Sequence, residues 1–472
     1  MKLQDSRGVP ISTANGTSLA CLEQANELFL GYYNDPVAVI DAALAEDPGF
    51  VMGHCLRAGM MATTSDKTLV PELRKSVEAA KALAGSANER ERGHIAAASA
   101  WLDRDFARAV ALYGDILVDH PRDVAALQFA HLGDFYLGQS MLLRDRVARV
   151  LPAWDATVPG YGYVLGMHAF GLEEMGDYPR AEERGRVALA MNRRDPWAIH
   201  AVAHVMEMQG RLADGIEWLN TRVLEWGHDN GFAFHNWWHL ALYHLDLGEV
   251  ERVVELYDEA IRPKRSDVVL EMVDAAAMLW RLHLRGLELG QRWRELAESW
   301  APRIDEAHYA FNDAHAMMTL VGAGREAEAD RLLASVVAGA GQSGTNGMMA
   351  REVGVPVCRA LHAFGRGDYD AAVELLMPVR SIAHRFGGSH AQRDVLSLTL
   401  IEAALRAKRG RLARALLAER TELKPASPFA WGATARALEL SGDEPAAARA
   451  RRTAQGLASS MAAPRQRMRA AG

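Results

Sequence analysis

The chain places apolar residues at helical spacing over most of its length. Segment after segment has them at i, i+3, i+4 and i+7, which is the pattern of an amphipathic helix. Alternating apolar and polar runs, which would indicate strands, are scarce, while the good helix formers Ala, Leu, Arg and Glu dominate. The pattern predicts an all-α protein, built either as one large bundle or as a repeat.

A short turn signal, usually a glycine beside a polar residue, recurs before Ala-rich helices. Gly138, Gly176, Gly210 and Gly248 stand 38, 34 and 38 residues apart. A period of about 35 residues is typical of a solenoid made of helix–turn–helix units. The pair Asp195-Pro196 is one of several breaks that end the second helix of a unit, because the residue before proline is pushed out of the helical region.

The unit from Val164 to Pro196 resembles the tetratricopeptide repeat. It has a Gly-Asp-Tyr turn, and the small residues Ala181 and Ala188 let its second helix pack closely against the first. Counted from Leu19, the repeat predicts an α-solenoid of about 11 to 12 tetratricopeptide-like helix pairs. Successive turn signals are 32 to 43 residues apart. This irregularity favours a strongly curved or closed shape over an open, modular groove.

The solenoid is predicted to occupy residues 18–456 as a single domain. Residues 1–17 are polar and are expected to be disordered, and residues 457–472 are expected to form a flexible basic tail. The Gly/Ser-rich segment 339–347 is a candidate hinge within the solenoid.

Charge and cysteine content exclude several classes of protein. The chain has 53 basic and 60 acidic residues and a net charge of −7, so neither nucleic acid nor an anionic membrane is an expected partner. The three cysteines are far apart, which excludes a disulfide framework and a thiolate zinc finger. The first residues lack the apolar segment of a signal peptide, and no apolar run reaches about 18 residues. We therefore expect a cytoplasmic protein.

Candidate chemistry is concentrated on the first helices of consecutive units, which line the concave surface of a solenoid. One of them places His200, His204 and Glu207 at i, i+4 and i+7, so the three side chains share one face. Neighbouring first helices lie about 8–10 Å apart. Side chains at matching positions of the next unit are therefore expected to meet them.

The next unit supplies His235, Trp238 and His239 at those matching positions. Together the two helices form a candidate site for a divalent metal, with His200, His204, Glu207, His235 and His239 as ligands. Imidazole and carboxylate donors suit Zn, Fe, Mn or Ni, and the sequence does not choose among them. The HAVAH stretch has histidines at i and i+4 but lacks the adjacent glutamate of the HExxH motif of zinc hydrolases.

Three functions remain open on this reading. The first is a pocket that binds a small polar ligand, and the second is an enzyme at the same pocket. That enzyme would be metal-dependent or use His/Glu acid–base chemistry for hydrolysis or proton transfer, with His204, Glu207 and His239 as candidate catalytic residues. The third is a scaffold that binds a peptide, and a homo-oligomer is compatible with all three. The candidate ligand-binding residues are His168, His200, His204, Glu207, His235, Trp238, His239, Asp313, His315, His390 and Arg393.

The stretch Gly387–Val395 contains Ser389 followed by His390 but is not predicted to be a nucleophile. Gln392 follows Ser389 at three residues, which is the spacing of a capping box at the start of a helix. Arg393 would then lie in the first turn of that helix, where anions are stabilised by the helix dipole.

Four stretches in order along the chain resemble the tetratricopeptide repeat protein 38 family. They are HAVAHVMEMQGR (200–211), HNWWHLAL (235–242), NDAHAMM (312–318) and GGSHAQRD (387–394). With the repeat turns, the resemblance covers roughly residues 20–445. It implies a helical-repeat fold and marks these residues, but it implies no particular reaction.

Overall fold

The computed structural model describes residues 3–469, and side chains up to residue 460. Within that part of the chain lie 26 α-helices, and 24 of them form twelve helix–turn–helix pairs. The prediction of an all-α solenoid of tetratricopeptide-like pairs is confirmed. The first helix of each pair is called helix A below, and the second is called helix B.

The first six pairs occupy the N-terminal half of the chain. They are α1 (Gly16–Leu30) with α2 (Pro36–Glu46), α3 (Val51–Ala62) with α4 (Val70–Ala82), α5 (Glu89–Leu102) with α6 (Phe106–Asp119), α7 (Val124–Tyr136) with α8 (Ser140–Val150), α9 (Tyr161–Glu174) with α10 (Tyr178–Met191), and α11 (Pro196–Met208) with α12 (Leu212–Asn220). The short helix α13 (Val223–Trp226) follows the sixth pair.

The other six pairs complete the solenoid. They are α14 (Ala233–Leu247) with α15 (Val250–Leu256), α16 (Val269–Leu284) with α17 (Gly290–Trp300), α18 (Ala310–Gly322) with α19 (Glu326–Ala340), α21 (Val355–Gly365) with α22 (Tyr369–Leu376), α23 (His390–Arg406) with α24 (Gly410–Leu423), and α25 (Pro428–Leu440) with α26 (Glu444–Arg469). The short helix α20 (Thr345–Met349) precedes α21. Short 3-10 segments (Lys67–Leu69, Leu151–Ala153, Ala301–Arg303, Ala383–Phe386) and π segments (Tyr257–Ile261, Ala350–Gly354) extend or join these helices.

The helix boundaries follow the predicted turn chemistry. Gly210 and Gly248 have φ angles of +68° and +80°, in the left-handed region that glycine adopts without strain. Asp195 caps α11 by accepting hydrogen bonds from the backbone N–H groups of Trp197 and Ala198, and Pro196 is the first helical residue. Ser389 caps α23 in the predicted capping box.

The N-terminal segment is folded, contrary to the expectation of disorder. Leu3–Gln4 (β1) pairs antiparallel with Pro10–Ile11 (β2), with Leu3 opposite Ile11. Ile11 is buried, and Arg7 donates a hydrogen bond to Glu23 of α1 at 2.7 Å. The polar residues that suggested disorder are therefore bound to α1. At the other end, α26 continues through residues 457–469 of the predicted tail, and residues 470–472 lie outside the described residues.

The solenoid closes on itself, because pairs that are far apart in sequence are in contact. Arg303 forms an ion pair with Asp66 at 2.6 Å, and the hydroxyl of Tyr309 donates to the carbonyl of Tyr136 at 2.9 Å. Asn230 donates to the carbonyl of Gly31 at 2.8 Å. In addition, α16 packs against α23, and α14 packs against α25. The predicted strong curvature is present, and the chain leaves little of its concave face open.

Closure buries the inner helices on all sides. Every residue of α11 is buried, as is nearly all of α9, α16 and α18. A helix that is buried all round normally consists of apolar residues. Histidines and carboxylates on these helices are therefore unusual and require a partner or a function.

The candidate hinge 339–347 contacts a distant part of the chain. The backbone N–H of Thr345 donates to the carbonyl of Arg104 at 3.3 Å, and the Thr345 hydroxyl accepts from the N–H of Ala107 at 3.1 Å. Hinge motion stays a prediction. Among the described helices, none combines the length and apolar character that crossing a bilayer requires.

Candidate functional site

Four histidines from two adjacent A helices meet in the interior. His200 and His204 lie one turn apart on α11, and His235 and His239 lie one turn apart on α14. Every ring pair except His204–His235 has centroids 4.3 to 4.9 Å apart, and one ring nitrogen from each histidine lies within 4.8 Å of those of the other three. The expected convergence of imidazoles is present, and we call these four residues the histidine cluster.

The two helices are joined tightly beside the cluster. The hydroxyl of Tyr243 on α14 donates to the carbonyl of Ala203 on α11 at 2.5 Å. Small side chains at Ala201 and Ala203 of α11 are fully buried, which allows close approach of neighbouring helices. The spacing between the histidine pairs is thus set by backbone packing and does not rely on flexible loops.

Three of the four imidazoles have a carboxylate at Nδ1. Asp274 of α16 lies 2.5 Å from Nδ1 of His235, and Glu207 of α11 lies 3.2 Å from Nδ1 of His239. Glu173 of α9 lies 3.3 Å from Nδ1 of His204. Metal-ligating histidines usually have such an outer carboxylate, which fixes the ring and increases its basicity. At His235 and His239 the carboxylate hydrogen-bonds to Nδ1 and leaves Nε2 free, whereas Glu173 lies near Nδ1 of His204 without a hydrogen bond to it.

The free nitrogens of the cluster have no hydrogen-bond partner in the described part of the chain. This holds for Nε2 of His204 and His239 and for both nitrogens of His200, and all of these atoms are buried. An unsatisfied buried polar group costs about 1–3 kcal/mol. Several such atoms in one place would be satisfied by a bound ion, a bound ligand or ordered water.

Burial and charge set the protonation of the cluster. Burial lowers the pKa of His200 and His239 well below the usual value, and the neighbouring imidazoles lower it further. Burial alone would also lower the pKa of His204, but Glu173 outweighs it, so that the pKa of His204 is raised. Burial raises the pKa of Glu173 itself. His200 and His239 are therefore neutral near pH 7, and His204 retains a proton more strongly than either of them.

A cavity of about 200 Å³ lies directly beside the cluster. His200, His235 and Asp274 form part of its wall, together with Asn312, whose side-chain amide donates to Ser65. Most of the remaining wall is aromatic or apolar, with contributions from Phe29, Tyr32, Phe135, Tyr136, Trp197, Phe232, Phe234, Tyr309 and Phe311. A few convergent polar groups in an apolar cavity are the usual composition of a small-molecule site.

Two predicted residues lie next to the cluster without belonging to its donor set. Glu207, a predicted ligand, has one carboxylate oxygen at His239 and the other at Lys424 Nζ, also at 3.2 Å, so it holds a histidine in place. Trp238 is fully buried and stacks on His235 at 5.4 Å. It does not line the cavity because His235 lies between them.

Other predicted residues are buried elsewhere. His168, on α9, is not among the donor groups that meet within the described residues. The Nδ1–H of His315 donates to the carbonyl of Phe311 at 2.8 Å, and burial lowers the pKa of His315 to about 4. Burial raises the pKa of Asp313 to about 7, and Asp313 does not line the cavity. Residues close together on one helix contact different neighbouring elements. Their spacing in the sequence does not predict which element each side chain contacts.

The last two predicted residues line a different cavity. His390 and Arg393, in the first turn of α23, face a cleft of about 660 Å³. The backbone N–H of His390 donates to Glu174 of α9 at 2.9 Å, and Glu174 lies close to Glu173 and His204. His390 is therefore linked to the cluster through Glu174.

Three residues that were not predicted as site residues contact the cluster or its outer carboxylate: Glu173, Asp274 and Lys424. Glu173 and Asp274 lie on the A helices that precede and follow the two histidine helices. A buried acid on an otherwise apolar helix was the available signal for both. Lys424 follows α24, and only closure of the solenoid brings it to Glu207.

No protein-family model matches the chain. The resemblance to the tetratricopeptide repeat protein 38 family therefore stays a prediction, and the observed fold identifies the chain as a tetratricopeptide-like helical-repeat protein.

Several solved helical-repeat structures align over nearly the whole chain. The human IFIT1 dimer with PPP-AAAA is 12% identical, with 94% of this chain and 96% of that chain covered and a TM-score of 0.36. Yeast Tom70 is 14% identical, with coverage of 95% and 96% and a TM-score of 0.32. The APC/C hetero-tetramer Cut9-Hcn1 is 10% identical, with coverage of 94% and 96% and a TM-score of 0.34. At these scores the matches carry no argument about function.

Proposed function

We propose that this protein binds one divalent transition-metal ion through the histidine cluster and a small organic ligand in the aromatic cavity beside it. The observation that carries the proposal is the arrangement of carboxylates and ring nitrogens in the cluster. Three carboxylates, Glu173, Glu207 and Asp274, lie outside the imidazoles, and unpartnered ring nitrogens lie inside. A cation at the centre would satisfy both layers.

The donor set suits a metal in chemistry and nearly in dimensions. Tetrahedral zinc has Zn–N distances of about 2.0–2.1 Å, which puts ligand nitrogens about 3.4 Å apart. Here the nitrogens lie within 4.8 Å of one another, so we expect a small inward movement of the rings on metal binding. Imidazole donors favour Zn, Fe and Ni over Mn among the predicted metals. With all four imidazoles bound, the ion would need a fifth coordination position facing the cavity to act as a Lewis acid there.

The cavity indicates a less polar ligand than the sequence suggested. Its wall is mostly aromatic or apolar, and two of its polar side chains, His200 and His235, belong to the cluster, with Asp274 bound to His235. We therefore expect a flat, largely apolar molecule with one polar end directed at the metal. The volume of about 200 Å³ limits it to the size of a small aromatic compound.

Metal content of purified protein tests the metal proposal. We expect one ion per chain in the wild type after incubation with Zn²⁺ and removal of excess, and loss of that ion in His239→Gln. The matched control is His131→Gln. His131 is a buried histidine of α7 whose ring nitrogens also have no partner within the described residues, but it lies outside the cluster. Equal metal content in both variants would contradict the proposal.

The ligand proposal has its own test. Val273 of α16 lines the cavity and is buried, so Val273→Phe is expected to fill it. Phenol and indole should protect the wild type against thermal unfolding and fail to protect this variant. The variant should still bind the metal, which would show that the cluster is intact. Equal protection of both proteins would contradict binding in this cavity.

The enzyme hypothesis concerns the same cluster, because a metal next to a ligand cavity could activate water. Hydrolysis of 4-nitrophenyl acetate that is lost on chelation and restored by Zn²⁺ would support it. The peptide-scaffold hypothesis is less favoured, since the inner A helices that would form a groove are buried against each other. A peptide would have to bind another surface.

A further inference from the structure

A second cleft, of about 660 Å³, is linked to the histidine cluster through Glu174, which accepts the backbone N–H of His390 and lies close to His204. Its wall is built from parts of the chain that only closure brings together. Gln139 and Ser140 come from the start of α8, Arg393 and Ser397 from α23, and Lys424 from the end of α24. The cleft is more open and more polar than the aromatic cavity.

The permanently charged groups that face this cleft are three cations, Arg380, Arg393 and Lys424, and one carboxylate, Asp394. His384 and His390 lie among them, and the lowered pKa of His384 leaves it neutral near pH 7. The side chains of Arg393 and Lys424 are only 10% and 9% exposed, so their charges lie in a largely desolvated wall. Arg380 lies at the rim, where it pairs with the exposed Glu419.

The carboxylates around the cleft already have partners. Asp394, on the wall itself, receives two hydrogen bonds from Arg420 at 2.7 and 3.0 Å. Behind the wall, Glu174 accepts the backbone N–H of His390 and lies 3.5 Å from Arg393, and Glu207 contacts Lys424. Nη1 of Arg393 also donates to the backbone carbonyls of Gly387 and Gly388. The donors left toward the cleft are therefore the other N–H groups of Arg393 and the remaining protons of the Lys424 ammonium group.

The pKa values of two groups in this region are shifted in the direction that a positive electrostatic potential produces. Burial would raise the pKa of Asp394, but Arg420 and Lys424 outweigh it and lower that pKa to about 2. The pKa of His384 is lowered by burial and by Arg393 and Arg385. Both shifts have the direction that nearby cations produce.

We propose that this cleft binds a small dianion, whose carboxylate or phosphate oxygens contact Arg393 and Lys424, with His390 and Arg380 at the entrance. Buried cations in a cavity of this size bind such oxygens by charge-assisted hydrogen bonds. The cleft is large enough for a metabolite-sized molecule. This proposal does not depend on the metal and can be tested without it.

The cleft is linked to the histidine cluster through Lys424. The ammonium group contacts Glu207, and Glu207 contacts His239. A dianion that draws the charge of Lys424 toward the cleft would leave Glu207 more basic and strengthen its hold on His239. If the proposed metal binds, dianion and metal should each increase the affinity of the other by the same factor.

Calorimetric titration of metal-free, full-length protein with succinate and with inorganic phosphate, at constant ionic strength, tests the dianion site. We expect saturable binding of one or both, and the preferred probe tells carboxylate from phosphate chemistry. Neutral succinamide should not bind. Arg393→Gln should weaken binding at least about tenfold, as expected for a lost charge-assisted contact, and Arg380→Gln should weaken it less.

The control variant is Arg436→Gln, which removes a half-exposed ion pair with Glu402 away from the cleft. It should leave the affinity unchanged. Because Arg393→Gln could unfold the protein, its thermal melting is measured first, and His390→Asn serves as a second variant at the more exposed entrance. Absence of saturable binding, or equal affinity in wild type, Arg380→Gln and His390→Asn, would overturn the proposal.

Discussion

Two buried polar regions of this protein differ in which group lies at the centre: a carboxylate in one and imidazole rings in the other. Around Asp123, a carboxylate lies at the centre and receives hydrogen bonds from Arg90 at 2.6 Å, His94 at 2.8 Å and the backbone of α7. Burial would raise the pKa of Asp123, but Arg90 and His94 outweigh it and hold that pKa well below its usual range. We call these three residues the Asp123 site.

The histidine cluster has the reverse arrangement. Its carboxylates lie at the periphery, and its imidazole nitrogens lie at the centre without partners in the described residues. The Asp123 site pairs opposite charges directly, although Arg90 Nη2 and His94 Nδ1 also have no hydrogen-bond partner among the described residues, whereas the cluster gathers four potential metal ligands at one point. A buried histidine is therefore not by itself a sign of function, but the direction in which its polar neighbours are arranged is informative.

The largest expected effect is the loss of unfolding free energy when the Asp123 site is disrupted. Asp123→Ala leaves the buried guanidinium of Arg90 without its counter-charge, so the free energy of unfolding should fall by about 3–5 kcal/mol. Chemical denaturation measures the change. In metal-free protein, His200→Ala should cost clearly less, because it removes unsatisfied atoms along with packing. Equal losses in the two variants would remove the distinction between the regions.

Metal should stabilise the folded protein through the histidine cluster and not through the Asp123 site. At a Zn²⁺ concentration of 100 times Kd, the wild type should gain about 2.7 kcal/mol in unfolding free energy. His239→Gln should gain nothing. A destabilised but folded Asp123 variant should keep the full increment, since the two sites are independent. An increment that vanishes in the Asp123 variant would show that the sites are coupled.

The outer carboxylates should tune metal affinity without abolishing it. Asp274→Asn removes the carboxylate 2.5 Å from His235 but keeps the shape of the side chain. We expect metal affinity to fall about 10- to 100-fold, as for other outer-shell residues. Competition with a chromophoric chelator measures the change. Glu271→Gln, on the same helix, serves as a control. An unchanged metal affinity in Asp274→Asn would show that the carboxylate at Nδ1 of His235 does not contribute to metal binding.

The pH dependence of metal binding should depend on Glu173. A proton on His204 competes with the metal, and Glu173 raises the pKa of His204 above its usual value. Metal affinity should therefore fall as the pH drops through that pKa, by up to about tenfold per pH unit for one proton. In Glu173→Gln the pKa of His204 falls, so the decline should begin at lower pH. Titrations between pH 8 and 5.5 test this, and identical profiles would contradict the assignment of His204.

Much of the site could be predicted because it is local in the repeat. His200 and His204, and His235 and His239, share a helix face by their spacing of four, and adjacent A helices bring the two pairs together. Asp313 and His315 also lie on one A helix, but they are not among the donor groups that meet at the cluster. On a helix buried all round, the spacing of residues does not tell which of several neighbours each side chain contacts.

The sequence by itself determined the helices, their pairing and the histidine pairs on neighbouring units, because turn glycines, caps and i, i+4 spacing act over a few residues. Only the tertiary structure decided that the solenoid closes, that Lys424 reaches Glu207 across 217 residues, and that an aromatic cavity and a cationic cleft flank the cluster. The physical reason is that closure depends on small rotations between repeats that accumulate along the chain. The sequence of any one repeat unit therefore does not determine whether the solenoid closes.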